Sequence, residues 1–327
     1  MSSSGETSRR QRKGVVIALV GTLIATPDAV LVRWAQKEKA ELSAIVFWEL
    51  LVTGLIMYIF SKYETGKNWR ALLRNPLLTL GLGISTASIS ILLSYAYVFT
   101  LAATAVLLFH LHPLWSGVMG WLCLGDVMPV RTALALLSAL VALVIMFLPE
   151  IEGMGFGNGG IGDAMALACS FVLSSYLCLA RYASRVDPEL STPLVSALAF
   201  VVTAALVVPV ALLTGSTILL TPLSVPAVLM DGFVVGAVNV ANSIAPIYAT
   251  ATQVGLIELT EAVLSPIWVY AIYREVPDLY TIGGGLAIIF ILAAHELFDP
   301  DCLGGPQKMV EDDKEKDDKL SSLIVNS

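Results

Sequence analysis

The chain has 327 residues, of which 57% are hydrophobic and only 14% charged, and its formal net charge is −7. Soluble domains carry nearer a quarter charged residues, so this sequence has too little polar side chain to cover a water-exposed surface. The composition excludes an ordinary soluble fold, and neither a nucleic-acid partner nor a bound cofactor is expected.

The apolar residues occur in ten long blocks, and a helix of roughly 20 apolar residues is what a bilayer crossing requires. Because backbone groups left unpaired in lipid are costly, each block is predicted to be helical. The first block follows a basic N-terminus but lacks a small-residue cleavage site, so we interpret it as a retained helix and not as a signal peptide. The blocks cover residues 14–35, 43–60, 77–98, 101–123, 130–148, 161–181, 192–214, 226–249, 252–273 and 279–298.

Basic residues between the blocks predict the orientation, since lysine and arginine concentrate on the cytoplasmic side of membrane proteins. With the N-terminus inside, only Arg33, Lys37, Lys39 and Arg274 fall outside, which leaves 15 of the 19 basic residues on the cytoplasmic face. An integral multi-pass membrane protein of ten spans, with both termini cytoplasmic, is therefore expected.

The two halves of the chain are similar to each other. Residues 14–35 match residues 162–183 at an offset of 148, and residues 114–127 match residues 263–276 at an offset of 149. Each half contains five spans, an odd number, so the second half must enter the membrane in the opposite sense. The sequence thus predicts an all-α membrane protein with a five-plus-five inverted-topology repeat, an arrangement that can open a midplane cavity to each side in turn.

Particular residues carry a resemblance to a known family. They are Tyr95–Thr100, Leu111–Trp115 and Trp121–Asp126 in the first half, and Glu261–Trp268 and Arg274–Pro277 in the second. Together these segments resemble the EamA-like branch of the drug/metabolite transporter superfamily, over roughly residues 14–298. The resemblance implies ten helices in an inverted repeat and transport of small metabolites. Glu49 departs from the family pattern, since many members carry arginine there.

The expected organisation has five parts. They are a cytoplasmic N-terminal segment (1–13), a first five-helix EamA-like repeat (14–149), a Gly-rich extracytoplasmic loop (150–160), a second five-helix EamA-like repeat (161–298) and an acidic, disordered cytoplasmic tail (299–327).

Ionisable residues inside the bilayer are the main candidates for function, because a charge at the bilayer centre costs on the order of 3 kcal/mol or more and calls for a cavity or a partner. They are Asp28, Glu49, His110, His112, Glu258 and Glu261. His112 and Glu261 are repeat equivalents, 149 residues apart, and are expected to approach each other across the cavity. Glu258 lies on the same helical face as Glu261.

The two histidines are about 200° apart on a continuous helix, so only one can face the cavity squarely. His112 is favoured for the cavity because of its repeat partner, which leaves His110 to packing. Carboxylates and histidine in such a site could bind and release protons, so protons are a candidate coupling ion. The alternative is that these groups only form interhelical hydrogen bonds. Asp28 could instead satisfy carbonyls freed by Pro27.

Neutral polar residues could add hydrogen bonds to a solute. Tyr95 and Tyr97 lie on the third predicted helix, while Asn239 and Asn242 lie on the eighth. Tyr176 is the repeat equivalent of Asp28, which favours a place in the cavity, although aromatic residues at such spacings also pack helices. No metal site is expected, because the four cysteines lack CxxC spacing.

Three rival functions were weighed. Gly160-Ile161-Gly162-Asp163 resembles a motif of intramembrane aspartyl proteases. Such an enzyme needs a second aspartate, which that family carries in a Tyr-Asp dipeptide. No Tyr-Asp dipeptide occurs in the chain, so no enzyme is expected. A channel or a non-transporting scaffold is the rival from another class, but a channel needs a continuous polar lining and these helices offer none. A nucleotide-sugar or sugar-phosphate antiporter would need lysine or arginine in the cavity. The favoured prediction is a secondary transporter for a small neutral, zwitterionic or cationic metabolite.

Overall fold

A computed structural model of the chain describes residues 3–64, 67–100, 102–126, 128–149, 160–274 and 276–297. Within these ranges the protein consists of helices and connections, with no strand. In chain order the helices are α1 (Ser3–Ala25), α2 (Asp28–Lys37), α3 (Leu42–Tyr63), α4 (Ala71–Arg74), α5 (Pro76–Phe99), α6 (Ala102–Phe109), α7 (His112–Leu124), α8 (Val130–Met146), α9 (Gly160–Val186), α10 (Thr192–Thr214), α11 (Val225–Tyr248), α12 (Ala251–Tyr273) and α13 (Leu279–Leu297).

Eight segments of the described chain are long and apolar enough to cross a membrane. Two of them, Gln11–Lys37 and Thr104–Leu124, run through a break between two of these helices. Two shorter apolar helices, Val130–Met146 and Leu279–His295, lie where the fifth and tenth spans are predicted. The expectation of an all-helical multi-pass membrane protein is confirmed, whereas the count of ten spans depends on these two shorter helices.

Several boundaries differ from the sequence prediction. Helix α1 begins at Ser3, well before the predicted start at residue 14. The predicted tail at 299–327 and nearly all of the predicted Gly-rich loop at 150–160 lie outside the described residues.

The first span is broken where a continuous helix was predicted. Pro27 has no backbone N–H, so the helix hydrogen bond to the carbonyl four residues earlier, that of Leu23, cannot form. The Thr26 hydroxyl donates to that carbonyl instead, at 2.9 Å. Helix α2 then starts at Asp28. The freed carbonyl is satisfied by Thr26, which removes the proline-kink explanation for Asp28.

The fourth span is broken as well, between α6 and α7, at His110 and Leu111. Pro113 is the cause, since it has no N–H to donate to the carbonyl of Phe109, four residues earlier, and its ring clashes with that carbonyl in a continuous helix. Pro113 is accommodated at the start of α7, where its missing N–H would have had no helical partner. The break turns the chain between the two histidines, so their separation on a continuous helix no longer describes where they point.

Most of the packing joins the first half of the chain to the second. Helix α1 packs on α11 and α12, α3 on α10 and α11, α5 on α9 and α10, and α7 on α9 and α12, while α8 pairs with α13. The closest approaches use small residues, which let membrane helices come together without a hydrophobic driving force. A Cβ added to Gly21 would lie 2.3 Å from the Cβ of Ala241, on the facing helix α11.

Replacing Gly21 by alanine is expected to destabilise the protein, because the new methyl group overlaps Ala241 and forces α1 and α11 apart. Overpacking of this kind costs typically about 1–3 kcal/mol. Gly83→Ala is the matched control, since a Cβ there would meet only ordinary contacts at 3.9 Å. Thermal unfolding in detergent checks this, and equal melting temperatures for the two variants would contradict the close crossing.

Polar contacts distinguish the two ends of the bundle. At the end that carries the start of the first span, here called the N-terminal face, Lys13 donates to the hydroxyl of Tyr248 at 3.2 Å. At the opposite face, the hydroxyl of Thr221 donates to the carbonyl of Glu38 at 2.9 Å, and that of Ser43 to the carbonyl of Thr217 at 2.9 Å. The opposite face is therefore held by hydrogen bonds between the two halves, and one more runs from the backbone N–H of Thr217 to the carboxylate of Glu41 at 2.7 Å.

Candidate functional site

A cavity of about 200 Å³ lies between the two halves of the chain. Helices α2 and α3 form one side of it and α9, α11 and α12 the other, with α5 and Phe200 of α10 between them. The lining runs from Leu173 and Tyr176, near the middle of α9, to Leu42, the first residue of α3, so the cavity extends from the middle of the bundle towards the opposite face. Most of the lining is aliphatic, and polar groups are few enough to be considered singly.

Seven of the nine predicted site residues lie in this lining. They come from both halves of the chain, as an inverted repeat would require: Asp28, Glu49, Tyr176, Asn239, Asn242, Glu258 and Glu261. The repeat pair Asp28 and Tyr176 thus meets at one cavity. Whether these residues bind a solute stays a prediction.

Tyr95 is one of the two that lie elsewhere. Its ring is 39% exposed and stacks on Phe99 with ring centroids 6.2 Å apart. Tyr97 lines the cavity instead. Residues two positions apart on a helix point about 200° apart, so α5 presents only one of these tyrosines to the cavity, and that one is Tyr97.

The assignment of the two histidines is reversed. His110 lines the cavity, and its Nδ1 lies 2.8 Å from the carbonyl oxygen of Val106. His112 is outside the lining, with a completely buried side chain. The prediction chose His112 because Glu261 is its repeat equivalent, but the fourth span is broken at His110 and Leu111 whereas α12 is continuous, so the offset does not carry the position across.

His112 forms a contact behind the cavity wall. Its Nε2 lies 3.3 Å from Oε2 of Glu258. Its backbone carbonyl accepts from Ser174 at 2.6 Å, and a Cβ on Gly255 would lie only 3.0 Å from its Nδ1. Glu258, and not the predicted Glu261, is thus the carboxylate that reaches His112. Neither ring nitrogen of His112 has a hydrogen bond with acceptable geometry among the described residues.

The charge of the cavity is one-sided. Asp28, Glu49, Glu258 and Glu261 all line it, and none of the described lining residues is lysine or arginine. Asp28 stands at the first position of α2, where the positive end of the helix dipole favours a carboxylate. The cavity therefore offers carboxyl groups and, among the described lining residues, no fixed positive charge.

A chain of hydroxyl groups supplies neutral hydrogen bonds beside the acids. The hydroxyl of Tyr176 lies 2.6 Å from that of Ser243 and 3.1 Å from that of Ser196. Ser196 lies 3.2 Å from the hydroxyl of Thr86. The amide of Asn239 donates to its own helix, at 2.9 Å from the carbonyl of Val235, which leaves its side-chain oxygen as an acceptor.

Sequence reasoning missed Asp231. This residue of α11 is completely buried, and neither carboxylate oxygen has a hydrogen-bond donor among the described residues. Its electrostatic neighbours are Asp28 and Glu49, of which Asp28 lies within hydrogen-bonding reach. The signal was present in the sequence, as an aspartate inside the eighth apolar block.

The N-terminal face is closed by ion pairs between the two halves. Arg74 donates to both carboxylate oxygens of Asp187 and, at 3.2 Å, to Glu189. Asn75 donates to Asp187 at 2.9 Å. The Asp187 side chain is 1% exposed, and its hydrogen bonds to Arg74 hold its pKa below the ordinary value. We call Arg74, Asn75, Asp187 and Glu189 the latch.

A second set of ion pairs lies on the same face. Asp126 pairs with Nε of Arg181 and with Nη2 of Arg185, both at 2.8 Å. Arg181, within α9, also donates to the carbonyls of Pro246 and Ala249, so α9 is joined to the connection after α7 and to the end of α11. These contacts give Asp126 a structural role.

Asp163 of the rival protease motif lies at the start of α9 and accepts a hydrogen bond from the hydroxyl of Thr100. It is absent from the cavity lining. This contact joins the third predicted span to the sixth and gives the residue a structural explanation.

Comparison with known proteins agrees with the resemblance read from the sequence. Residues 12–148 match the family model of the EamA-like transporter family, so the predicted resemblance is confirmed over the first half of the chain. One solved crystal structure superimposes with a TM-score of 0.73 at 18% identity, covering 88% of this chain and 99% of the other. At that identity the match establishes a shared fold only. None of the curated proteins is similar enough in sequence to count as a match.

Proposed function

We propose that this chain, an integral membrane protein whose residues 12–148 match the EamA-like transporter family, is a secondary transporter. It carries a small neutral, zwitterionic or cationic metabolite across the bilayer by alternating access. The observation that carries the proposal is a midplane cavity between the two halves, lined by four carboxylates and, among the described residues, by no lysine or arginine.

Helix pairing supports the inverted repeat. The proposed repeat pairs five units of the first half with five helices of the second. The α1–α2 unit corresponds to α9, α3 to α10, α5 to α11, the α6–α7 unit to α12, and α8 to α13. If each helix is replaced by its repeat equivalent, the contacts of α1 with α11 and α12 become contacts of α9 with α5 and α7. Those contacts are also present. The pairs α3 with α10, α7 with α12 and α8 with α13 map onto themselves. Such a pattern is expected of two similar halves related by a two-fold axis in the membrane plane.

The two faces differ in a way that alternating access requires. The N-terminal face is crossed by the latch and by the Asp126 ion pairs, whereas the cavity lies towards the opposite face. We infer that the structure represents the state closed at the N-terminal face. Since most basic residues lie there, we place that face, and both termini, in the cytoplasm.

The rival transporter class is not favoured by this site. A sugar phosphate or nucleotide sugar needs a fixed positive charge, and bidentate arginine is the usual choice. Glu49 lines the cavity, at a position where many members of the family that the sequence resembles carry arginine. The acids here would repel such an anion.

Counterflow in proteoliposomes tests the function. Vesicles preloaded with an unlabelled solute are given the same solute labelled outside, using choline, serine, uridine and glucose 6-phosphate in turn. We expect transient accumulation of one of the first three and none of the phosphate, because an acidic lining repels the anion. Empty vesicles are the control. Accumulation of the phosphate alone would contradict the charge of the site, and flux without counterflow would indicate a channel.

A further inference from the structure

Asp231 has no place in the solute site as described, because its side chain is sealed from the cavity. It lies two turns into α11, with a relative exposure of 0%. The residues around it on α11 are packed into apolar clusters: Val228 with Ala35 and Ile45, and Val234 with Leu31. A carboxylate enclosed in this way requires an explanation, because burying an unpaired charge costs several kcal/mol.

Close packing holds this carboxyl against α2 and α3. The next residue, Gly232, touches α3 so closely that a Cβ there would lie 2.6 Å from the Cβ of Val52 and 3.3 Å from the carbonyl of Glu49. The hydroxyl of Thr53 donates to the carbonyl of Gly232 at 3.1 Å. The crossing of α3 and α11 is therefore close at the level of Asp231.

The charged groups that act on Asp231 are the acids Asp28 and Glu49, whereas the bases of α2, Arg33 and Lys37, lie further along that helix. Among the helices packed on α11, α2 contributes Asp28 and α3 contributes Glu49, while α12 places Glu261 and Glu258 at the cavity. Helix α9 contributes the neutral Tyr176, and the membrane part of α1 and the whole of α10 carry no ionisable group. With no donor on either oxygen of Asp231 among the described residues, neighbouring carboxylates cannot all be ionised in an apolar interior.

We propose that Asp231 and Asp28 share one exchangeable proton in a carboxyl–carboxylate pair, and that this pair couples the uptake of an organic cation to the release of that proton. The inference rests on the proposed transport function and adds to it a coupling site and a substrate charge. Asp28 faces the cavity and Asp231 lies behind it. The pair therefore has one member that a solute can reach and one that only a proton can.

The exchange conserves charge at each step. An ammonium group entering the cavity lies beside the carboxylates of Asp28 and Glu49, and the carboxylic O–H bond of the pair breaks. The proton leaves through the cavity to water on the open side. When the cation departs on the other side, a proton from that side re-forms the O–H bond. One proton therefore moves outward for each cation that moves inward. No cluster of histidine, cysteine or acidic side chains that could hold a metal ion occurs among the described residues.

Infrared spectroscopy tests the pair without any solute. In wild-type protein in lipid at neutral pH, a carbonyl stretching band of a protonated carboxylic acid is expected. Asp231→Asn should lose intensity in that band, and Asp28→Asn provides the same test if the first variant fails to fold. Asp278→Asn is the matched control, because Asp278 lies at the exposed start of α13 and accepts from Thr281. A wild type without the band, or pair variants that keep it in full, would overturn the proposal.

Transport with choline tests the coupling, since its quaternary nitrogen cannot carry a proton through the bilayer by itself. An outward proton gradient should drive choline accumulation by wild type and by Asp278→Asn. Asp231→Asn should retain choline counterflow and lose the gradient-driven component. Counterflow of serine or uridine but not choline would overturn the cation exchange and leave the proposed transport standing. Absence of all counterflow would instead overturn the proposed transport, while the infrared result would still decide whether the pair exists.

Discussion

Replacement of Glu261 by glutamine is expected to lower uptake about tenfold or more and to flatten its dependence on pH, while the protein still folds and inserts. Glu261 lines the cavity and lies within electrostatic range of Asp28 and Glu258. Glutamine keeps the size and hydrogen bonding of the neutral acid but cannot ionise. A loss of about 1.4 kcal/mol in the interaction with a cation corresponds to that tenfold factor.

The measurement for Glu261 is the initial uptake rate against pH in proteoliposomes at matched protein density. Glu38→Gln is a suitable control, because Glu38 follows α2 and is not part of the cavity lining. Counterflow separates this variant from Asp231→Asn, since only the loss of a group that touches the solute should reduce counterflow itself. An unchanged rate with an unchanged pH profile would assign Glu261 to helix packing.

Reversal of charge at the latch is expected to have the second large effect. Asp187→Arg places two guanidinium groups together at a site where Arg74, Asn75 and the buried carboxylate now join the halves. We expect the melting temperature to fall by several degrees and uptake to fall with it, because the state closed at the N-terminal face loses its main ionic contact. The exchanged pair Arg74→Asp with Asp187→Arg should recover part of both, which a double-mutant cycle measures. Equal losses in the single and exchanged variants would mean that the contact does not hold the face closed.

The stability that the latch contributes changes with pH in a more acidic range than proton-coupled transport would. The hydrogen bonds from Arg74 hold the pKa of Asp187 below its ordinary value, so the contribution to stability is fully present above the unfolded-state pKa of about 3.9. It is lost only as the pH falls through the lower pKa of the folded state. The latch is consequently intact at neutral pH, and a change in transport between about pH 5 and 8 must arise at other groups. Asp187→Asn should flatten only the acid limb of a stability curve.

Part of the candidate site could be read from the sequence, because an ionisable residue inside an apolar block is visible without a fold. Asp28, Glu49, Glu258 and Glu261 were found in this way, and all four line the cavity. The same rule applied to Asp231 would have found it. The repeat offset correctly joined Asp28 to Tyr176 but misplaced His112, because the fourth span is broken while α12 is continuous.

The sequence by itself determined the helical segments, their membrane character and the family resemblance, since these depend on the local run of apolar residues and on short motifs. The tertiary structure alone decided which side of a helix faces the cavity and which groups meet across helices. The first span is broken after Ala25 and the fourth at His110 and Leu111, and His110, not the predicted His112, lines the cavity. The Gly232 crossing brings Asp231 to Asp28, some two hundred residues away along the chain, and contacts at that separation have no local signal in the sequence.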